Sequence, residues 1–262
     1  MGELTVARPL ALAFAFALGA CIGSFLNVVI WRLPRAESLV RPGSHCPACG
    51  AAIPFWANVP LLSYALLRGR CRACRAHISL RYPLVEALTA GVFAALLLAH
   101  GPSARLLVDW LLASALIAVT FIDLDHQIIP NSITLPGIAL GLTLSFAAPG
   151  LGVGWRDALL GVGVLGGSLW VLSAGYELVS GKVGLGMGDV KLVAMLASFL
   201  GLEDGLGVLI IGSLVGIVYG VAILVWVRGG RHTRIPFGPA LALAGLVFVF
   251  QPDLLDRFLV SP

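Results

Sequence analysis

Phe121-Ile122-Asp123-Leu124-Asp125-His126-Gln127-Ile128-Ile129-Pro130-Asn131 marks the place where one apolar run, residues 104–122, stops and the next, residues 131–148, begins. A carboxylate beside lipid is costly, about 2.5–3.5 kcal/mol at a helix centre, so an acid at such a border has a function or a partner. A second acid, Asp189, stands at a similar border in Gly184-Leu185-Gly186-Met187-Gly188-Asp189-Val190-Lys191. The borders matter only if the apolar runs cross a membrane, and composition decides that.

The chain of 262 residues is 59% hydrophobic and 11% charged. Its mean hydropathy is +0.98. A water-soluble globule carries about 25% charged residues, so the charged side chains here are too few to coat a soluble surface. The composition predicts an all-α polytopic membrane protein and gives no reason to expect a nucleic-acid partner. A membrane-spanning helix needs about 20 apolar residues. Candidate spans lie near 9–31, 83–100, 104–122, 131–148, 157–179, 189–203, 206–227 and 236–251, about eight in all. Only Glu203-Asp204-Gly205 separates the sixth from the seventh.

Orientation follows from where Lys and Arg fall in short loops. Arg32, Arg35, Arg41, Arg68, Arg70, Arg72, Arg75 and Arg81 lie between the first and second spans. Arg228, Arg231 and Arg234 lie between the seventh and eighth, and Lys182 and Lys191 flank the glycine-rich loop before the sixth. With eight spans these basic loops share one side, the cytoplasm, and both termini lie outside. The N-terminal run, with Leu18-Gly19-Ala20-Cys21, has the look of a lipoprotein-type signal. The apolar run continues through Trp31, however, and the positive charge follows it rather than preceding it. The expected outcome is a retained first helix, residues 1–31, with Cys21 a small buried residue in it.

Residues 32–82 form the sizeable polar segment, and 83–262 the remaining membrane domain. The polar segment holds Cys46-Pro47-Ala48-Cys49 and Cys71-Arg72-Ala73-Cys74, with residues 50–70 between the two pairs. Paired C-x-x-C turns at this spacing fit a structural zinc site of four thiolates, Cys46, Cys49, Cys71 and Cys74. Such a site has no open coordination position, so its role would be structural. The competing readings are two disulfides or four free thiols; a cytoplasmic location argues against disulfides. His45 and His77 flank the turns and are read as surface residues.

On this topology the third span ends at Asp123 and the sixth opens at Asp189, both at the cytoplasmic boundary. Because the arginines alone set the topology, the convergence of the two acids is an independent check. Gly186 and Gly188 would let backbone or substrate approach closely. Two carboxylates about 3 Å apart cannot both ionise and share a proton, which is the chemistry of an aspartyl protease. The bland alternative stays open: Asp189 as a helix-start charge, and Asp123, Asp125 and His126 as a solvated turn before Pro130.

The motifs, taken in order, resemble the bacterial type IV prepilin peptidases, membrane aspartyl proteases with a G-x-G-D motif. That motif reads Gly186-Met187-Gly188-Asp189. Gly23-Ser24-Phe25-Leu26-Asn27-Val28-Val29-Ile30-Trp31-Arg32-Leu33-Pro34 resembles the family's first-helix signature, and the two C-x-x-C turns its cytoplasmic domain. Ser79-Leu80-Arg81-Tyr82-Pro83-Leu84-Val85-Glu86 resembles its approach to the second helix, and Ile122 through Pro130 its first catalytic-aspartate region. The resemblance implies that Asp123, seven positions before Pro130, and Asp189 are the catalytic acids. Asp125 is the competing candidate, but residues two apart on a helix do not share a face.

The resemblance further implies cleavage of the basic leader of type IV prepilins or type II secretion pseudopilins at the cytoplasmic face of the inner membrane. N-methylation of the new N-terminus with S-adenosylmethionine would follow. No nucleotide-binding loop within a βαβ unit is present, so the S-adenosylmethionine residues are unknown and Glu86, in the second span, has no assigned role. The bilayer is an expected partner, the arginine-rich loop facing anionic headgroups, and the oligomeric state is unknown. Two other classes would use the same features differently. An ion-coupled transporter with a zinc-binding module would want its acids at mid-membrane and some repeat symmetry. A zinc-bearing scaffold would tolerate loss of both aspartates.

Overall fold

A computed structural model describes residues 3–148, 150–182, 184–226, 236–252 and 254, with side chains described from residue 8 and, in the longest helix, as far as residue 223. The basic stretch with Arg228, Arg231 and Arg234 lies outside the described residues. Among the described residues there is no strand, only two isolated antiparallel bridges. The elements are α1 (Glu3–Arg32), α2 (Leu62–Leu66), α3 (Arg81–His100), α4 (Ala104–His126), α5 (Asn131–Ala147), α6 (Trp155–Leu160), α7 (Gly167–Ser180), α8 (Met187–Trp226) and α9 (Gly238–Phe250). A π-helical turn, Gly161–Gly166, joins α6 to α7.

Among the described residues, five stretches are long and apolar enough to cross a membrane: Arg8–Arg35, Arg81–His100, Ala104–His126, Trp155–Ser180 and Met187–Ile223. Helices α5 and α9 are apolar but shorter. Each apolar run read from the sequence is helical, yet by length and composition alone five of the helices qualify as crossings. The difference lies in α5, α9 and the 40-residue α8. That helix joins two of the runs and breaks at Gly201, with φ 87° and ψ −173°. The break falls at Gly201, two residues before the Glu203-Asp204-Gly205 border read from the sequence. The reason is local: a Cβ at residue 201 would overlap the Asp157 carboxylate, and Asp157 Oδ1 accepts the Leu202 N–H at 3.0 Å. An acid in α6 thus takes up an amide that the kink frees.

The chain divides into two compact units, the first ending at Leu106 and the second beginning at Leu107. In the first, α1 packs along α3. A Cβ at Gly19 would lie 2.7 Å from the Ala90 Cα, and one at Gly23 2.7 Å from the Glu86 Cα. Small residues four apart on one helix face let the two backbones touch, as is common between helices in lipid. Cys21 sits two residues off that contact face and is exposed, which corrects the expectation of a buried residue. Gly101, at φ 68°, ends α3 and takes its amide to Leu97 O.

In the second unit, α8 packs against α5, α6, the π turn and α9. Leu192, Leu196, Ala197, Leu241, Ala242 and Phe248 are fully or almost fully buried there, with Leu116, Val119 and Ile122 of α4. Gly245 of α9 lies against both Leu116 of α4 and Leu196 of α8. This apolar packing fixes the ends of α4, α8 and α9, where the chemistry of this unit sits.

Candidate active site and metal centre

Asp123 lies one turn from the C-terminus of α4, whose last residue is His126. The chain leaves the helix through Gln127, in the left-handed region at φ 53°, whose amide returns to Asp123 O at 2.9 Å. Pro130 then removes a donor and fixes the turn into α5. Asp123 is only 5% exposed, whereas Asp125 is exposed. Two positions apart, the acids point to different surroundings.

The buried Asp123 carboxylate accepts a hydrogen bond from a residue 115 positions away: the Gly238 N–H donates to Oδ2 at 2.9 Å. Gly238 is the first residue of α9, so this amide has no partner within its own helix. A Cβ at Gly238 would stand 2.6 Å from Asp123 Oδ2 and 3.2 Å from Ile129 Cδ1. The sequence gives little sign of this residue beyond a Gly-Pro pair at the head of an apolar run. The contact exists only because α4 and α9 pack together.

Asp189 stands in the first turn of α8, with its amide directed to Gly186 O at 3.0 Å. Gly188 faces Ile129, where a Cβ would come within 2.9 Å of the isoleucine Cβ, and one at Gly186 would stand 2.8 Å from Asp189 Oδ2. Ile129 therefore touches the surroundings of both acids, through Gly188 on one side and Gly238 on the other. Both acids thus have Ile129 beside them, one at the end of α4 and the other at the start of α8. Lys191 Nζ donates to Asn131 Oδ1 at 2.8 Å and ties the start of α8 to the start of α5.

The four cysteines form the second site. Cys46, Cys49, Cys71 and Cys74 bring their sulfurs within 4.8 Å of one another, and Cys46 Sγ lies 3.9 Å from Cys74 Sγ. A tetrahedral ion with bonds of about 2.3 Å needs sulfurs about 3.8 Å apart, so the cluster could hold a metal ion with only slight contraction. Two copies of one turn build it. Cys46 N–H donates to Ala51 O at 2.9 Å and Cys71 N–H to Ala76 O at 2.8 Å; Gly50 and Arg75 N–H return to Cys46 O and Cys71 O. Both turns need a left-handed residue after the second cysteine, Gly50 at φ 70° and Arg75 at φ 60°. Backbone amides of Cys74 and Ala73 hold the Cys71 thiol down to about 6. The Ala51 amide works in the same direction on Cys49, but hydrogen bonds with Cys74 and the other thiols outweigh it and push Cys49 up to about 11. His45 is exposed, with Nδ1 against Gly43 O, and neither histidine joins the cluster.

Comparison with known proteins places these features in one family. The model of the bacterial peptidase A24 N-terminal domain matches residues 17–100, and that of the type IV leader peptidase family matches residues 110–221. A prepilin leader peptidase/N-methyltransferase of Neisseria gonorrhoeae is 40% identical over 98% of this chain and 96% of its own length. The chain belongs to the type IV leader peptidase family. Proteins of the same description from Myxococcus xanthus (46% identical over 86% of this chain and 67% of the relative) and Stutzerimonas stutzeri (39%, over 96% and 94%) are also similar. No solved structure matches. Within this leader peptidase, the four cysteines and Glu86 fall in the N-terminal match and both aspartates in the second. Gly238 lies beyond either.

Glu86 has an observed setting. It is buried on α3, and its Oε2 accepts the Leu61 N–H at 2.7 Å, while Leu61 is held at the unusual φ of 62°. The carboxylate is also hydrogen-bonded to Ser24.

Proposed function

We propose that this leader peptidase is a membrane aspartic endopeptidase that removes the basic leader from type IV prepilins or type II secretion pseudopilins, with Asp123 and Asp189 as its catalytic pair. The observation that carries the reading is the shared surroundings of the two acids at the ends of α4 and α8: Ile129 lies against Gly188, next to Asp189, and against Gly238, whose amide donates to Asp123. A carboxylate accepts such a bond more strongly than a carboxylic acid, so Asp123 is assigned the ionised role and Asp189 the protonated one. Asp123 takes a proton from water as the water oxygen attacks the scissile carbonyl carbon. Asp189 gives its proton to the carbonyl oxygen as negative charge develops there. Collapse of the tetrahedral species breaks the C–N bond, the proton held by Asp123 passes to the leaving amine, and Asp189 recovers its own from the hydroxyl.

Gly186 keeps a side chain away from the Asp189 carboxylate, and Gly188 lets Ile129 pack close beside it. The placement of arginines supports an inner-membrane orientation in which this site and the cysteine loop face the cytoplasm, where a basic leader would remain. The ion in the four-thiolate cluster is read as zinc, in a structural role, because the residues present supply four sulfurs and no open position. Relatives named as N-methyltransferases support a second activity, methylation of the new N-terminus with S-adenosylmethionine. The test is Asp123→Asn and Asp189→Asn, made separately and co-expressed with a prepilin. Both should leave the precursor unprocessed on an immunoblot, and normal processing by either variant sinks the dyad.

A further inference from the structure

The N-terminal unit contains a cavity of about 330 Å³ that the peptidase chemistry does not use. It lies against the C-terminal half of α1 and the loop that follows, and its lining includes Ser24, Phe25, Val28, Arg32, Val40 and Pro60. Its volume falls within the range of small-molecule sites. Its one charged lining residue is Arg32.

Only 7% exposed, Arg32 donates from Nη1 to Ser38 O at 2.9 Å and from Nη2 to Gly43 O at 3.3 Å. Both acceptors are neutral carbonyls, and among the described residues no carboxylate pairs with it. A guanidinium carries five N–H donors, so donors remain at a buried charge on a cavity wall. Burying a charge without a counter-ion is costly, and an anionic group entering the cavity would relieve that cost. The lining itself carries no acid, but Glu86 lies behind it. Glu86 is bonded to Ser24, which lines the cavity, and to the amide of Leu61, next to Pro60, which also lines it. Phe25, Val28 and Val40 add apolar surface to the lining.

We propose that this cavity binds S-adenosylmethionine, with Arg32 receiving its carboxylate and the Glu86 side of the cavity favouring its cationic ammonium and sulfonium groups. A zwitterionic amino acid that carries an extra cation and an adenosine matches a pocket with the Arg32 guanidinium and apolar walls in its lining and a buried carboxylate behind Ser24. Phe25, half exposed beside the cavity, offers a face for the adenine ring. Glu86 is a positioning residue here, acting through Ser24 and the Pro60-Leu61 turn. The proposal rests on the N-methyltransferase reading given above.

The test uses the full-length protein in lipid nanodiscs and measures equilibrium binding of labelled S-adenosylmethionine, beside leader cleavage of a prepilin. Arg32→Met should weaken binding by about tenfold or more, the worth of a charge-assisted hydrogen bond, with cleavage kept. Val40→Trp, placed at a highly exposed wall position, should obstruct the cavity and weaken binding without touching the fold. If Arg32→Met also loses cleavage, its fold is damaged and Val40→Trp alone decides. Unchanged binding in a variant that still cleaves overturns the cavity assignment. Absence of binding in the wild-type protein overturns the N-methyltransferase reading as well.

Discussion

The two chemical sites are built by opposite means. In the C-terminal unit, Asp123, Asp189 and the Gly238 amide sit at the ends of α4, α8 and α9, held by helices whose apolar faces pack together. In the N-terminal unit, Cys46, Cys49, Cys71 and Cys74 sit on two short loop turns closed by a few backbone hydrogen bonds. A site at packed helix ends keeps its geometry without a ligand. A loop of this size buries too little apolar surface to hold itself, and a metal ion on the four cysteines would supply what is missing. The carboxylate site should therefore be sensitive to single atoms, and the thiol site to whatever disturbs the metal.

The largest expected effect is on the carboxylates. Asp123→Asn or Asp189→Asn should lower the single-turnover rate of leader cleavage by about 10²–10⁴-fold and leave metal content unchanged. Asp125→Asn should leave the rate close to wild type, because Asp125 is exposed and faces away from the buried Asp123. Cleavage lost with Asp125→Asn and kept with Asp123→Asn would reverse the assignment.

Removing a thiolate should act on the loop. Metal binding to a small structural site supplies about 10 kcal/mol or more of folding free energy. Cys71→Ser, or a strong chelator, should therefore open residues 44–78 to protease, read by mass spectrometry of the fragments, while an Asp123 variant should not. Protection that survives loss of the metal would show that the loop holds itself and would break the comparison.

Gly238→Ala probes a single methyl in the helix-built site. The added Cβ would sit 2.6 Å from Asp123 Oδ2. Losing the amide's hydrogen bond to the carboxylate should cost about 1.5–3 kcal/mol, roughly a ten- to 150-fold loss in kcat. Thermal stability should fall far less than the rate; equal rates for Gly238→Ala and wild type would remove the amide from the mechanism.

Acid should weaken the metal centre in two stages. With Cys71 held at about 6 and Cys49 pushed up to about 11, at pH 7 Cys71 is already a thiolate and Cys49 must release a proton on binding. Metal affinity should fall as pH drops from 8 to 6, and more steeply below about 6, where Cys71 must also give up a proton. Chelator competition from pH 5 to pH 8 measures both slopes, and a slope that does not steepen below about 6 counts against the low Cys71 value. The smallest effect expected is at the turns. Gly50→Ala places a Cβ in the left-handed region and should weaken metal binding by about 1 kcal/mol. Arg75→Gly relieves the same penalty in the other turn and should be neutral or slightly favourable, against the entropic cost of glycine.

Particular residues show how far the sequence could be read. The C-x-x-C pairs were legible because two cysteines in one tight turn point their sulfurs together almost regardless of the rest of the chain. The helix-forming runs were legible because lipid demands continuous apolar helices. The break in α8 was misplaced because Glu203 and Asp204 looked like a border, whereas Asp157, more than 40 residues away, takes the Leu202 amide and selects Gly201. Cys21 was misread because its exposure depends on which face of α1 meets α3.

By itself the sequence determined the membrane class, the helical runs, the cysteine cluster and the two candidate acids. Each rests on local rules of hydropathy, helix periodicity and turn chemistry. Only the tertiary structure decided that Gly238 donates to Asp123, that Ile129 borders the surroundings of both acids, and that Arg32 lines a cavity whose Ser24 is bonded to Glu86. Those depend on packing between distant helices and loops, where a contact costs nothing to write in sequence and exists only once the backbones have met.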